Sequence, residues 1–165
     1  KRALQFKSSI IFLSLRAKDK TKIKAKKSRD HTEILFKYLG VPIKLIKKKS
    51  FDLIDIKGPK KLHTLNYNIP SDISSAAFFL ALTALSKNSQ LTIKKVNINP
   101  RRSGIIIIIK KMDVKILLKN KKIYKGEKVA DIFIKECNTW KAIDRHISLN
   151  TSTIEKYLIN FLVAS

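Results

Sequence analysis

Apolar and polar positions form two successive series of short segments along the chain. In the first series they predict a helix, a strand, a helix and two strands, at residues 8–15, 21–25, 31–39, 42–46 and 51–56. The second series contains a strand, a helix, a strand, a run of isoleucines and two more strands, at residues 65–69, 73–85, 90–98, 101–112, 114–118 and 129–135. The second series thus repeats most of the first, with an arginine before a helix in each.

Helix boundaries are marked by capping residues. Asp30 followed by Glu33 has the spacing of a capping box, and Gly40 is expected to end the helix that begins there. Asp72 is expected to cap the helix at 73–85 in the same manner. The isoleucines at 105–109 favour a strand by intrinsic propensity, whereas their place in the repeat favours a helix.

The two kinds of segment differ in polarity. The helix at 73–85 carries no charge and is apolar nearly all round, which predicts burial on every side. The strands mix lysines with apolar residues, as is typical of a sheet with one wet face. The sequence therefore predicts an α/β architecture with its helices inside and its sheets outside.

The chain is strongly basic, with a net charge of +24 and a pI of about 10.3. Such a charge normally suggests an anionic partner, and it leaves a basic nucleic-acid-binding module as an alternative. However, the lysines are scattered through every segment, which a bias towards Lys, Ile and Asn explains more simply. Arginine is scarce: it occurs at six positions only, one of which is Arg29.

Cysteine and histidine give little sign of a metal or redox site. Cys137 is the single cysteine, which excludes an intramolecular disulfide and fits a reducing cytoplasm. The histidines and Cys137 show no metal-ligand spacing, and no apolar run reaches the length of a membrane span. Because the chain has no initiator Met and ends directly after an apolar pattern without a helix stop signal, we expect it to be an internal piece of a longer protein.

Four ordered motifs carry a resemblance to a known family. They are SRDHTE, IPSDISSAAFFLA, NPRRSG and GEKVADI, at residues 28–33, 69–81, 99–104 and 126–132. With them the chain resembles the middle of 5-enolpyruvylshikimate-3-phosphate synthases. The resemblance implies two inside-out α/β barrel domains built from repeated βαβαββ units, with residues 1–68 ending the first domain and 69–165 starting the second.

The resemblance also implies an activity. The family transfers the enolpyruvyl group of phosphoenolpyruvate to the 5-hydroxyl of shikimate 3-phosphate and releases phosphate, without a metal or other cofactor. It implies a cytoplasmic monomer whose partners are these two small molecules, with no nucleic acid and no membrane. The related UDP-N-acetylglucosamine enolpyruvyl transferase is a further alternative. This chain alone is expected to be inactive.

By the same resemblance, four residues match positions of the family's active site. Arg29 can form two parallel hydrogen bonds to a phosphate or carboxylate through its guanidinium. From the local sequence alone, it is interpreted as a surface arginine paired with Asp30 or Glu33. Gln5 matches a substrate contact, and Ala3 stands where the family has a phosphate-binding serine. Glu155 stands where the family has an aspartate that accepts a proton; otherwise it is a solvated residue beside Lys156.

Overall fold

The computed structural model of the chain describes residues 2–58 and 61–139. They form four helices and six strands. In chain order these are α1 (Arg2–Ser14), β1 (Thr21–Lys26), α2 (His31–Tyr38), β2 (Ile43–Lys47), β3 (Phe51–Ile56), α3 (Ile73–Leu85), β4 (Gln90–Asn97), α4 (Gly104–Lys111), β5 (Ile116–Tyr124) and β6 (Glu127–Lys135). Within this part of the chain, no helix has the length and apolar character that crossing a membrane requires.

The described chain divides into two compact units of the same topology. One comprises the residues up to Asn68 with Lys125–Glu127, and the other comprises Ile69–Tyr124 and the residues from Lys128 onward. The first sheet has the strand order β1-β3-β2 and the second has the order β4-β6-β5. In each sheet the last strand in sequence lies in the middle, so the predicted repeat is confirmed at the level of topology.

In each unit, two helices pack against a three-stranded sheet. The first core joins Ile11 of α1 and Phe36 of α2 to Ile54 and Ile56 of β3. The second core is larger and joins α3 and α4 to β4, β5 and β6, with Leu80, Ile132 and Ile134 fully buried. These layers of helix and sheet confirm the α/β class, because each sheet buries apolar side chains under its own helices.

Most predicted segments are present, with one exception. The predicted bounds of α3 and β3 are confirmed, and the isoleucine run is a helix in which only Ile107 of the five faces solvent. The strand predicted at 65–69 is wrong, since no strand forms there. Only Ser71 makes a bridge to Val96, in which its N–H donates to Lys95 O and its carbonyl accepts from Asn97 N–H.

The helix α3 is not buried on every side in the described chain, so that prediction is wrong here. Ile73, Ala76, Leu80 and Ala84 face the core, as an i, i+3, i+4 stripe should. The opposite face is exposed although it is equally apolar, and it consists of Phe78, Phe79, Leu82 and Leu85. The reason is that the second unit supplies a sheet and a helix for only one side of α3.

The end of α2 is a Schellman motif centred on Gly40. Gly40 N–H donates to Lys37 O (3.2 Å) and Val41 N–H donates to Phe36 O (2.9 Å). Gly40 has a φ of +78°, while Phe36 and Val41 are both buried in the first core. This geometry satisfies the last carbonyls of the helix and directs the chain into β2. The predicted role of Gly40 as a helix stop is confirmed.

We expect Gly40→Ala to destabilise the longer protein by about 1 to 2 kcal/mol, because a Cβ disfavours the left-handed conformation. An ideal Cβ at Gly40 meets no atom within 4 Å, so crowding would not contribute. Urea unfolding measures the change, with Gly40→Asn as the control, since Asn tolerates this conformation better. An alanine variant as stable as the parent would contradict the expectation.

The second sheet contains a β-bulge held by Asp131. The pairing of β4 with β6 shifts between Ile93 and Val96, and Lys95 in the bulge has a φ of +52°. The Asp131 carboxylate accepts hydrogen bonds from Lys95 N–H (2.8 Å) and from Asn120 Nδ2 (2.7 Å). The hydrogen bond from Asn120, followed by that from Lys95, lowers the pKa of Asp131. Asp131 therefore joins all three strands of the sheet.

We expect Asp131→Ala to lower stability near pH 7, since the charged form accepts both hydrogen bonds. Because the folded pKa is below the ordinary value, this stabilisation is complete above that value and is lost as pH falls through the folded pKa. The difference between variant and parent should therefore be constant from pH 7 to 5 and shrink in stronger acid. Urea unfolding across this range, with Asp19→Ala in an exposed turn as control, tests it. A difference independent of pH would contradict it.

Candidate functional site

Arg29 lies in the short connection between β1 and α2, and its side chain is half-buried. Asp30, the next residue, is buried, and its Oδ2 lies 3.9 Å from Nζ of Lys47. The connection is thus closely packed, with Arg29 at the entrance to the N-terminal end of α2. The free N–H groups and the dipole of a helix favour negative charge at such an end.

A buried ion pair joins this connection to α1. Nζ of Lys7 lies 2.7 Å from Glu33 Oε1, and the side chains of both residues are only 3% exposed. The same ammonium donates to the backbone carbonyl of Arg29 at 2.5 Å. A second link is made by Ser8 Oγ and Thr32 Oγ1, which are 3.2 Å apart. These contacts hold the Arg29 connection against α1.

The capping box predicted for α2 is wrong. Asp30 occupies the N-cap position, but in the described chain its side chain makes no capping hydrogen bond. The Glu33 carboxylate bonds to Lys7 rather than reaching back to the start of its own helix. The ammonium of Lys7 is a charged donor, and a charge-assisted bond is stronger than one to a neutral N–H.

The structure places two other predicted site residues on α1. Ala3 and Gln5 are the second and fourth residues of the helix as described, and Gln5 is exposed. The backbone carbonyl of Gln5 accepts a hydrogen bond from Ser9 Oγ, one turn later in the helix, at 2.9 Å. Through Lys7, the helix that carries Ala3 and Gln5 contacts the connection that carries Arg29. Glu155 lies outside the described residues.

The second unit has an arginine in the equivalent place. Arg102 lies between β4 and α4, as Arg29 lies between β1 and α2. Nη2 of Arg102 lies 2.6 Å from Asp72 Oδ1 and donates to Ser74 Oγ at 2.8 Å. Asp72 caps α3, since its carboxylate accepts from Ser75 N–H at 3.3 Å. In this repeat a carboxylate of the chain itself therefore lies between the arginine and the start of a helix.

The first unit combines an arginine, an exposed amide on α1 and the start of α2, which are groups that recognise an organic anion. Within residues 2–58 and 61–139 no cluster of His, Cys, Asp and Glu could hold a metal ion.

The sequence interpretation missed Lys7 and Arg102. Lys7 lies four positions before Ile11, on the one side of α1 that is buried, and a lysine at a buried position needs a polar partner. Arg102 could have been found from the repeat, because NPRRSG places it where SRDHTE places Arg29. In both cases the partner lies on a different helix, far away in sequence.

Comparisons with known proteins agree on one family. The model of the EPSP synthase (3-phosphoshikimate 1-carboxyvinyltransferase) family matches residues 2–153. A 3-phosphoshikimate 1-carboxyvinyltransferase from Thermoanaerobacter sp. (strain X514) is 44% identical over 132 residues, which is 79% of this chain and 30% of the relative. Another from Endomicrobium trichonymphae is 36% identical over 166 residues, covering 100% of this chain and 37% of the relative.

Solved structures show the same similarity. An EPSP synthase from Acinetobacter baumannii superposes with a TM-score of 0.79 at 34% identity, covering 95% of this chain and 34% of that protein. A second structure of EPSP synthase from the same organism gives a TM-score of 0.75 at 37% identity, with coverage of 84% and 31%. The chain therefore spans about a third of the length of the relatives and structures it matches.

Proposed function

Because the chain belongs to the EPSP synthase (3-phosphoshikimate 1-carboxyvinyltransferase) family, we propose that it is part of a protein with this activity. That protein transfers the enolpyruvyl group of phosphoenolpyruvate to the 5-hydroxyl of shikimate 3-phosphate and releases phosphate, a step towards chorismate and the aromatic amino acids. The related UDP-N-acetylglucosamine transferase and a nucleic-acid-binding module are not favoured by the comparisons.

The observation that carries the proposal is the attachment of the Arg29 connection to α1. Lys7 Nζ lies 2.5 Å from Arg29 O, so Arg29 and the helix that carries Gln5 belong to one packed unit. Both substrates are anions, for which a guanidinium can form two parallel charge-assisted hydrogen bonds. We assign Arg29 and Gln5 to substrate binding. Ala3 is assigned to the same place, although it offers the phosphate no hydroxyl.

The second repeat supports this assignment. There the Asp72 carboxylate lies between Arg102 and the start of α3, and Ser74 Oγ accepts a hydrogen bond from the same arginine. By the repeat, a substrate phosphate would take the place of that carboxylate beside Arg29 in the first unit.

We assign the proton transfer to Glu155. Its carboxylate accepts the proton of the 5-hydroxyl as this oxygen bonds to C2 of phosphoenolpyruvate and the double-bond electrons take up a proton at C3, which gives the tetrahedral intermediate. Loss of a proton from the resulting methyl group and departure of phosphate from C2 then restore the enolpyruvyl double bond. Glu155 has one methylene more than the family aspartate, so its carboxylate extends further from its own backbone. The assignment rests on the alignment of TIEKYL with the family motif.

We also propose the family's domain architecture and surroundings for this protein. The division between Asn68 and Ile69 supports residues 1–68 as the end of the first domain and 69–165 as the start of the second. The exposed apolar face of α3 supports an inside-out barrel, in which further helices would cover it. The single cysteine supports a cytoplasmic location, and we propose a monomer.

The test is phosphate release by the longer protein in the presence of both substrates, with the enolpyruvyl product identified by mass spectrometry. Release that depends on shikimate 3-phosphate is expected. Release only with UDP-N-acetylglucosamine, or none at all, would overturn the proposal.

We expect the 165-residue chain alone to show no turnover above background. It spans about a third of its relatives, and an active site needs all of its ligands at once to stabilise the transition state. The same phosphate assay measures this, with the longer protein as the positive control. Turnover by the purified chain would contradict the expectation.

A further inference from the structure

Lys7 combines deep burial with two polar contacts that serve different elements. Its side chain is only 3% exposed, and its ammonium contacts Glu33 Oε1 of α2 and the carbonyl of Arg29. Removing an ammonium and a carboxylate from water carries a large desolvation penalty, and such a pair often stabilises a protein less than apolar residues of similar size would. Stability alone therefore does not account for a lysine at this position.

The contact with Arg29 is made to its backbone. A bond to the carbonyl restrains the peptide plane that follows Arg29, and with it the Cα from which the guanidinium extends. Lys7 lies on α1 together with Gln5, so the same bond fixes Arg29 with respect to the helix that carries Gln5. Glu33 in turn holds the ammonium in place and neutralises it. The pair thus contributes position and no net charge.

We propose that Lys7 is a positioning residue for substrate binding, which acts through Arg29 and is itself held by Glu33. Lys7 does not contact the anion, because it is buried and its ammonium is already bonded to Arg29 and Glu33. The proposal rests on the function proposed above, in which Arg29 and Gln5 bind a substrate phosphate or carboxylate.

Kinetics of the longer protein can separate positioning from simple support of the fold. Lys7→Met alone would leave Glu33 buried and unpaired, so the main variant is Lys7→Met with Glu33→Leu, which replaces the pair by apolar side chains. We expect this double variant to melt within a few degrees of the parent. Its KM for shikimate 3-phosphate should nevertheless rise about tenfold, in the range of couplings between neighbouring residues, with kcat changed less.

The deciding measurement repeats the double change in an Arg29→Ala background. If Lys7 acts through Arg29, the same two substitutions should then alter KM less than about twofold, because the group they position is gone. Lys7→Arg, which keeps donors for both oxygens, should recover part of the lost affinity. Lys18→Met, an exposed lysine in the turn after α1, is the matched control and should leave KM unchanged.

Two results would overturn the proposal. An unchanged KM in a stable double variant would make the pair purely structural, and an equal rise in KM with and without Arg29 would show that Lys7 does not act through it. If the double variant does not fold, Lys7→Met with Glu33→Gln, which removes the ammonium and leaves no buried charge, decides between the same outcomes in the two backgrounds. Failure of the proposed function is distinguishable, since the parent would then show no phosphate release dependent on shikimate 3-phosphate.

Discussion

Replacing Glu155 by glutamine in the longer protein is expected to lower kcat about a hundredfold or more while leaving the affinity for both substrates nearly unchanged. The amide keeps the size and shape of the carboxylate but cannot accept a proton, so only the step that needs a base is affected. A hundredfold loss corresponds to about 2.7 kcal/mol of transition-state stabilisation. Steady-state kinetics with each substrate varied in turn measures it.

Two further variants sharpen this expectation. Glu155→Asp restores the residue of the family motif and should keep or raise kcat, although misplacing a base by about 1 Å can cost on the order of a hundredfold. Lys156→Met is the control, because it changes the adjacent charge without touching the base. A fully active glutamine variant would show that the family's proton acceptor has not survived at this position.

Arg29→Lys should weaken binding of shikimate 3-phosphate or phosphoenolpyruvate by about 1.5 to 3 kcal/mol, or roughly tenfold or more. Lysine keeps the charge, so the loss isolates the planar fork that binds two oxygens together. Titration of each substrate against the longer protein would measure the change and would also show which of the two anions Arg29 holds.

Matched controls for Arg29 lie beside it. Lys47 approaches Asp30 with its side chain 62% exposed, and Lys48 and Lys49 follow it in the exposed turn after β2. Changing any of these to alanine removes a full charge near the same connection, yet we expect a smaller effect, since exposed charges are screened by solvent and salt. Equal losses for all four variants would mean that Arg29 contributes only general positive charge.

Local patterns predicted elements well where one signal dominated. The bounds of α3 follow from a capping aspartate and thirteen uncharged residues, and β3 follows from alternation between two turns. For Ile105–Ile109, helix formation overrides the β propensity of isoleucine, because a helix lets four of the five side chains reach the core. The repeat therefore predicted this element correctly where residue propensity did not, because the repeat reflects which side chains must reach the core.

Contacts between distant residues were beyond the sequence interpretation. The motif around Glu33 predicts a local cap, and nothing near it shows that a lysine on α1 competes for the same carboxylate. The repeat suggested where Arg29 lies in the fold, but its attachment to α1 required the structure. The exposed face of α3 was mispredicted for a different reason. The sequence indicates that this face is apolar, but it cannot show whether the residues that would cover it belong to this part of the protein.

The strand order of the two sheets also has a consequence for how the chain folds during synthesis. In the first sheet Thr21 pairs with Ile56, so every strand partner has been made before the ribosome reaches α3. In the second sheet Gln90 pairs with Lys135, again within its own segment. Because the loops to be closed are short, each sheet can form as soon as its last strand, β3 or β6, emerges and inserts between the two earlier ones. The insertion of the central strand is therefore the final step for each sheet, and synthesis from the N-terminal side would complete the first sheet before the second.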